Sequence, residues 1–172
     1  MQHQDHFDVI IVGGGHVGLT LALALTQSAR GISVALVDRR PLAVPRDNRA
    51  SAIAAGVRRV FEALGVWPAM LAEAQPITAM RITDSGKGDI ARPLFLSFEG
   101  AIAPGEAFAH MVPNRVSAHA LLDALGDSIS IIAPAEVASY AADGALAQLT
   151  LADGRTLHAP LLVAADGGQS SL

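Results

Sequence analysis

Three glycines and one acid carry the clearest chemical signal in the sequence. An apolar run from Val9 to Val12 leads directly into Gly13, Gly15 and Gly18, and Asp38 follows 20 residues after the last of these glycines. Glycines at this spacing allow a tight turn, a close approach of phosphate to the backbone, and close packing of the next helix on the strand. The spacing therefore predicts a turn that holds the diphosphate of a dinucleotide.

A strand, a helix and a second strand must position this turn. Val9 to Val12 are all β-branched, which is typical of a strand buried on both faces of a parallel sheet. The run LTLALALTQSAR predicts a helix that Gly31 ends, with its positive dipole end toward the phosphates. We expect the second strand over residues 33–37. Asp38 would then accept hydrogen bonds from a ribose diol and repel a 2′-phosphate, which favours FAD or NAD over NADP.

Composition excludes several classes of protein. The chain has 172 residues, of which 51% are hydrophobic and 4% aromatic, enough for one domain with a real core. A net charge of -4 does not provide the positive charge that binding to nucleic acid requires. The chain has no cysteine, so it has no disulfides or Cys-based metal sites, and we expect no metal. The polar N-terminus does not resemble a signal peptide, and no apolar run reaches the roughly 20 residues of a membrane span. We therefore expect a cytoplasmic protein.

The middle of the chain changes pattern. After Asp38, a loop rich in Arg and Pro carries Arg46 and Arg49, which fit either contact with a diphosphate or a solvated basic turn. Apolar residues at helical spacing then predict a helix over 51–66; they are Ile53, Val57, Val60, Phe61 and Leu64. Alternating residues between Met80 and Phe98 predict strands. We interpret residues 80–110 as a strand-rich excursion toward a substrate domain.

The last third of the chain reads as an amphipathic helix followed by short strands. Asp143-Gly144 and Asp153-Gly154 predict hairpin turns between these strands. A continuous apolar run over residues 161–165 predicts another buried parallel strand, and Asp166 and Gly167 follow it. The elements together predict an α/β fold: a Rossmann-like FAD/NAD(P)-binding domain with a parallel sheet, a β-meander and part of an inserted substrate-facing sheet.

Four segments together resemble the N-terminal part of the flavoprotein aromatic hydroxylases, the para-hydroxybenzoate hydroxylase group. The segments are GGGHVG followed by LVDRR, DNRASAI, HMVPNR, and LLVAADGGQSS. The longer run DNRASAIAAGVRRVFEALGVW is most similar to the ubiquinone-biosynthesis hydroxylases that act on polyprenylated phenols. The resemblance covers essentially the whole chain, and the pairing of GxGxxG with a distant AADGGQSS is its most specific part.

The resemblance implies a monooxygenase that hydroxylates an aromatic ring with FAD, NAD(P)H as a transient co-substrate, and O₂. The chemistry then belongs to the flavin, so no catalytic side chain is predicted. The cofactor-binding positions that the resemblance implies are Gly13, Gly15, His16, Val17 and Gly18 in the glycine turn, Asp38 and Arg39 after it, Arg49, Asn114 and Arg115 toward the flavin, Val137 at adenine, and Asp166 and Gly167 near FAD and NAD(P)H. His110 and Arg81 are polar candidates for facing the ring, although an ordinary surface role fits both better.

Two departures from the family indicate that residues 1–172 are the N-terminal part of an FAD-binding domain. The arginine that usually follows the family's Asp-Gly motif would lie beyond Leu172, and the family's downstream Gly-Asp motif is absent. We therefore expect the chain alone to bind FAD weakly or not at all, to be inactive, and to self-associate through exposed core.

Three alternatives stay open on the sequence. They are a flavoprotein reductase of polyprenyl groups, a NAD-dependent Rossmann dehydrogenase, and a folded FAD-binding scaffold without turnover. The strand-rich stretch after Met80 argues against the dehydrogenase. A small aromatic substrate that carries a polyprenyl chain would imply peripheral contact with the inner face of a membrane.

Overall fold

The computed structural model describes residues 5–83, 94–99, 101–168, 170 and 172. These residues form two compact units, each described by itself. Unit 1 comprises the described residues of Met1–Arg46 and Ser117–Leu172, and unit 2 comprises those of Asp47–Val116. Residues 84–93 and 100 of the predicted strand-rich region, and Gln169 and Ser171 of the AADGGQSS segment, lie outside the described residues.

The helices and strands follow the chain in this order. The elements are β1 (Val9–Val12), α1 (His16–Ser28), β2 (Val34–Val37), β3 (Ala50–Ala54), α2 (Ala55–Ala63), α3 (Trp67–Met70), a 3₁₀ turn (Leu71–Glu73), β4 (Gln75–Ile77), β5 (Ala79–Thr83), β6 (Leu94–Glu99), β7 (Ala101–Ala103), β8 (Glu106–Ala107), β9 (Ala109–Pro113), α4 (Asn114–Asp123), β10 (Ile129–Ile132), β11 (Val137–Asp143), β12 (Leu146–Leu151), β13 (Thr156–Ala159) and β14 (Leu161–Ala164). Among the described residues, no helix has the length and apolar character that a membrane crossing requires.

A four-stranded parallel sheet forms the centre of unit 1. Its strand order is β10-β2-β1-β14, with every neighbouring pair parallel. All residues of β1 and β2 are buried, because each strand has a partner on both sides and a packed layer on each face. The parallel register brings the carboxyl ends of β1, β2 and β10 to the same edge. The predicted parallel sheet and α/β fold are confirmed.

A three-stranded antiparallel meander, β11-β12-β13, covers one face of that sheet. Ile10 and Val12 of β1 pack with Leu149, Leu151 and Leu157 of the meander in one buried cluster. Helix α1 packs on the sheet through Gly18, which lies close to Ile11. The side chain of Ile11 points to the face of the sheet opposite to that of Ile10 and Val12. Side chains on one face of β1 therefore pack against the meander, and those on the other face pack against α1. This explains the unbroken apolar sequence of β1.

Unit 2 contains a three-stranded antiparallel sheet of order β3-β9-β4 and the two-stranded pairs β5-β6 and β7-β8. Val112 of β9 and Phe61 of α2 are buried in this unit, together with Trp67 and Met70 of α3. Strands β5 and β6 confirm the prediction of strands between Met80 and Phe98, within the described residues.

The predicted helix over residues 51–66 is wrong at its start. Residues Ala50–Ala54 form a strand that pairs antiparallel with β9, with Ile53 opposite His110, and the helix begins only at Ala55. The partner strand lies more than 50 residues away in sequence, so the local pattern carried no sign of it. Val57 and Val60 are exposed by 45% and 44%, whereas Phe61 is buried as predicted.

The prediction of a buried parallel strand over residues 161–165 is correct in the direction of the strand and wrong in its burial. Strand β14 runs parallel to β1, but it lies at the edge of the four-stranded sheet, and Leu161 is 51% exposed. An edge strand has a sheet neighbour on one side only, so it is less buried than β1.

Two of the predicted turns and helix ends differ in detail, and the turn at Asp153-Gly154 is confirmed. Asp143 pairs with Leu146 as the last strand residue, so the tight loop is Gly144 and Ala145 rather than Asp143-Gly144. Gly154 has a positive φ of 87° between β12 and β13, as a hairpin turn requires. Helix α1 ends at Ser28 with its C-cap at Ala29, so Gly31, with φ of 82°, lies two residues beyond the cap.

Candidate functional site

Gly13 makes the tight turn between β1 and α1. Its φ of 115° is in the region that favours glycine, and its N–H donates to the carbonyl oxygen of Val37 at 2.7 Å. A Cβ at this position would lie 2.3 Å from the carbonyl oxygen of Ala165. The turn therefore fits against β2 on one side and the end of β14 on the other, and a larger residue does not fit.

Gly15 and Gly18 have different roles at the start of α1. A Cβ on Gly18 would lie 1.8 Å from the carbonyl oxygen of Gly13, so this glycine permits the close packing of helix on strand. A Cβ on Gly15 would meet no described atom within 4 Å, so this position faces open space. Gly15 is the N-cap of α1, no side chain caps it, and the first turn contains no acidic residue. A bare helix N-terminus with open space before it fits an external anion such as a diphosphate.

Asp38 connects the glycine turn to the end of β2. Its Oδ2 accepts a hydrogen bond from the N–H of Gly14 at 2.7 Å, and its Oδ1 accepts one from the N–H of Arg40 at 2.8 Å. The sequence predicted a ribose ligand at this position and gave no sign of these two backbone contacts. A carboxylate has about four acceptor positions on its two oxygens, so both oxygens keep capacity for a ribose diol.

A pocket of about 130 Å³ opens at the carboxyl ends of β1, β2 and β10 in unit 1. Its lining consists of Val12, Gly13, Asp38, Arg39, Arg40, Ala135, Glu136, Val137 and Asp166. The sequence predicted five of these nine residues, from four segments far apart in the chain, as cofactor contacts. An acid at the end of β2 and a glycine turn at the end of β1 thus share one pocket, which fits the adenosine and diphosphate of a dinucleotide.

Two of the four pocket residues that the sequence missed, Ala135 and Glu136, follow β10, whereas Val12 and Arg40 directly adjoin the predicted Gly13 and Arg39. Strand β10 pairs parallel with β2, and the N–H of Ala135 donates to the carbonyl oxygen of Asp38 at 2.7 Å. This contact places Ala135 and Glu136 beside the acid. The only sequence signal was the apolar run SISII before them, which predicts a strand and does not identify its neighbour.

The other predicted residues of unit 1 lie in the first turn of α1 and after β14. The Nε2 of His16 lies 2.7 Å from the Oγ of Ser117 in α4, and Val17 is 71% exposed. Gly167 has a φ of 93°, and a Cβ there would meet no described atom within 4 Å. Gly167 therefore allows the chain to turn directly after Asp166.

Arg49 and Asn114 meet in unit 2. The N–H of Asn114 donates to the carbonyl oxygen of Arg49 at 2.8 Å, and the Asn114 Oδ1 accepts from Ser51 Oγ at 2.7 Å. The guanidinium of Arg49 donates to Asp47 at 2.7 and 2.9 Å, and this contact lowers the pKa of the Asp47 carboxyl. A flavin contact from the Arg49 guanidinium would therefore compete with Asp47.

Arg115 is also paired with a carboxylate in unit 2. Its two terminal nitrogens donate to the two oxygens of Glu73, one of them at 3.0 Å. These hydrogen bonds hold the pKa of Glu73 below its ordinary value. A contact between Arg115 and the cofactor would likewise compete with this exposed ion pair.

The expected surface role is wrong for His110 and correct for Arg81. His110 is 8% exposed, its ring meets Trp67 edge-on at 5.3 Å, and its Nδ1 has no hydrogen-bond partner among the described residues. Burial, and next the charge of Arg58, lower the pKa of His110. Arg81 is exposed and pairs with Glu99 at 3.4 Å. In the part of the chain that the structure describes, no cluster of three or more His, Asp or Glu could hold a metal ion.

Comparison with known proteins agrees with this geometry. The FAD binding domain family matches residues 6–172. The chain is 39% identical over 171 residues to ubiquinone hydroxylase UbiL of Rhodospirillum rubrum, covering 96% of this chain and 38% of that protein. It is 29% identical over 175 residues to the 3-demethoxyubiquinol 3-hydroxylase of Escherichia coli, covering 96% of this chain and 42% of that protein. The chain therefore spans about two fifths of the length of these relatives.

Solved structures show the same fold. The p-nitrophenol 4-monooxygenase PnpA of Pseudomonas putida superposes with a TM-score of 0.77 at 20% identity, over 98% of this chain and 43% of that one. The expected resemblance to FAD-dependent hydroxylases is thus confirmed by both sequence and fold. Because the family match extends from residue 6 to residue 172, the chain belongs to the FAD binding domain family, with FAD as its cofactor.

Proposed function

We propose that this chain is the dinucleotide-binding part of an FAD-dependent monooxygenase that hydroxylates an aromatic ring. The observation that carries the proposal is the pocket of unit 1, where Gly13, Asp38, Val137 and Asp166 converge beside the uncapped start of α1. FAD, when bound, supplies the electron transfer from NAD(P)H to O₂ that such a hydroxylation needs.

The residues of unit 1 bind and orient rather than react. The open N-terminus of α1 receives the diphosphate, and Asp38 accepts from the ribose while it holds the Gly14 amide. The pocket lining also carries two basic residues, Arg39 and Arg40, which offset part of the negative charge of its three acidic residues, Asp38, Glu136 and Asp166. None of these groups needs to act as a nucleophile.

The substrate proposed is a phenol of ubiquinone biosynthesis that carries a polyprenyl chain. Its support is that relatives at 39% and 29% identity carry the names ubiquinone hydroxylase and 3-demethoxyubiquinol 3-hydroxylase. A polyprenyl chain partitions into lipid, so we propose a cytoplasmic protein that works at the inner face of a membrane.

We propose that the 172-residue chain self-associates and does not turn over by itself. On the β5-β6 pair, Met80 lies opposite Phe98 and Ile82 opposite Leu96, so four large apolar side chains share one face. All four are more than one third exposed. Two-stranded pairs need a packed apolar face for stability, which supports association through this face.

The activity test uses the protein at its full encoded length. After addition of FAD and removal of free flavin, we expect a flavin absorption band and NAD(P)H consumption that rises when a polyprenylated phenol is added. A spectrum of protein absorption alone would overturn the proposal. Consumption that requires a polyprenyl acceptor and ignores the phenol would favour the polyprenyl reductase instead.

A further inference from the structure

His16 makes a long-range contact that the proposed function does not use. Its Nε2 lies 2.7 Å from the hydroxyl of Ser117, across 101 residues of sequence. Ser117 is 1% exposed and belongs to α4, whereas His16 is the first residue of α1 and directly follows three consecutive glycines. The contact therefore ties the end of the glycine turn to a second helix of unit 1.

The glycine turn needs fixed neighbours because glycine loses more conformational freedom on folding than any other residue. Gly13 is fixed by its hydrogen bond to the carbonyl of Val37, and Gly14 by its hydrogen bond to Asp38. Gly15 has a φ of -79°, and no described atom lies within 4 Å of where its Cβ would be. No side chain therefore restrains Gly15 directly. Its carbonyl oxygen accepts a hydrogen bond from the N–H of Leu19 at 2.9 Å. The next side-chain restraint along the chain is the contact between His16 and Ser117.

The His16–Ser117 contact adds a side-chain restraint to the first turn of α1, beside the packing of the helix and its hydrogen bonds. The buried residues of the helix are Gly18, Leu19, Ala22 and Leu23, and these hold its body against the sheet. Before Gly18, Val17 is largely exposed, and Gly15 carries no side-chain cap. Ser117 is 1% exposed, so its hydroxyl is held in one place and gives the ring of His16 a fixed hydrogen-bond partner.

We propose that His16 is a positioning residue for FAD. Its imidazole, hydrogen-bonded to the buried Ser117 hydroxyl, presets the first turn of α1, so that the backbone N–H groups of this turn point at the diphosphate before the cofactor arrives. Pre-organisation of this kind raises affinity because less freedom is lost on binding. The proposal rests on FAD binding at the glycine turn, as the proposed function has it.

The test is a double-mutant cycle with a conservative rescue. His16→Ala and Ser117→Ala should each raise the FAD dissociation constant roughly 2- to 10-fold, the range of one hydrogen bond, and the double variant should be no weaker than either single one. His16→Gln places a polar atom at the reach of Nε2 and should restore most of the affinity. His16→Asn is one bond shorter and should behave like His16→Ala. His119→Gln, on the exposed side of the same α4, is the matched control and should bind as the parent does.

A second measurement needs no cofactor. In cofactor-free protein, amide hydrogen exchange over residues 15–19 should become faster in Ser117→Ala and His16→Ala, and the ¹⁵N signals of the His16 ring should shift in Ser117→Ala but not in His119→Gln. Additive losses in the cycle, no rescue by His16→Gln, or unchanged exchange would overturn the inference. If the parent protein binds no FAD, the proposed function fails, and the exchange and ring signals still decide the role of His16.

Discussion

Asp38 has a structural role in the turn and a proposed role in the site, and both depend on its carboxylate. It accepts hydrogen bonds from the Gly14 and Arg40 amides, and it lines the pocket where a ribose is expected. A single side chain therefore shapes the turn and, in the proposed function, also binds the ribose. Removing it should change both the backbone of the turn and the affinity for FAD.

We expect Asp38→Ala to raise the FAD dissociation constant on the order of 10- to 100-fold, since hydrogen bonds to charged groups are lost. Asp38→Asn keeps one acceptor oxygen but turns a donor toward one of the two amides, so it should fall between Ala and the parent. Quenching of flavin fluorescence measures each constant. Asp127→Ala, an exposed aspartate outside the pocket, is the control. Equal affinity of Asp38→Ala and Asp127→Ala would remove Asp38 from the site.

The buried His110 is expected to make unit 2 sensitive to acid. Burial, and next the charge of Arg58, hold its pKa below the ordinary value of 6.5, while Glu62 acts in the opposite direction. The folded state thus binds a proton at His110 less readily than the unfolded chain does. The stability that depends on neutral His110 is complete above about pH 6.5 and falls as the pH decreases toward the lower, folded-state pKa.

Replacing His110 with Leu should therefore flatten the pH dependence of the unfolding free energy between about pH 7.5 and about pH 5. Denaturant unfolding at several pH values measures this slope. His119→Gln, which removes an exposed histidine, should keep the slope of the parent. If His110→Leu kept it as well, the buried ring would not be the titrating group.

At the scale of elements, two glycines at the start of α1 have different tasks: Gly18 is needed for folding, and Gly15 is expected to be needed for binding. Gly18→Ala would place a Cβ 1.8 Å from the Gly13 carbonyl oxygen, so the strand and helix must move apart, and we expect a large loss of stability. Gly15→Ala meets no described atom within 4 Å and has an ordinary φ of -79°, so it should fold almost as the parent does. Its methyl group would occupy the space in front of α1 and weaken FAD binding.

Thermal unfolding and an FAD titration of both variants check this separation. A stable Gly18→Ala variant would contradict the packing described for α1. A Gly15→Ala variant with the FAD affinity of the parent would show that the diphosphate does not approach at this point.

The elements that the sequence predicted correctly are those whose signal is local. Strand β1, the turn at Gly13 and helix α1 follow one another within 20 residues. The β-branched run, the spacing of the glycines and the run of helix-forming residues each predict one of these elements without any distant partner. Strand β3 was missed because its partner, β9, is distant in sequence, and ASAIA has no alternation of polar and apolar residues. Glu136 was missed for the same reason, since only the pairing of β10 with β2 brings it to Asp38.

At the scale of the whole molecule, the exposed apolar face of the β5-β6 pair should govern solution behaviour. Leu96→Lys and Phe98→Lys place charges on that face and should lower self-association of the 172-residue chain, which sedimentation velocity measures. Ala79→Lys adds the same charge to the opposite face of the pair and should leave association unchanged. Equal association in all three variants would show that another surface joins the copies.

Amide hydrogen exchange of the full-length protein with and without FAD tests the central claim most directly. The account predicts that FAD slows exchange in three segments that meet only in the folded pocket: residues 12–18, 37–40 and 135–137, with residues 166–167 protected alongside them. Protection should be weaker in Gly15→Ala, which fills the space before α1 without disturbing the fold. Unchanged exchange in these segments at saturating FAD, or protection confined to other parts of the protein, would contradict it.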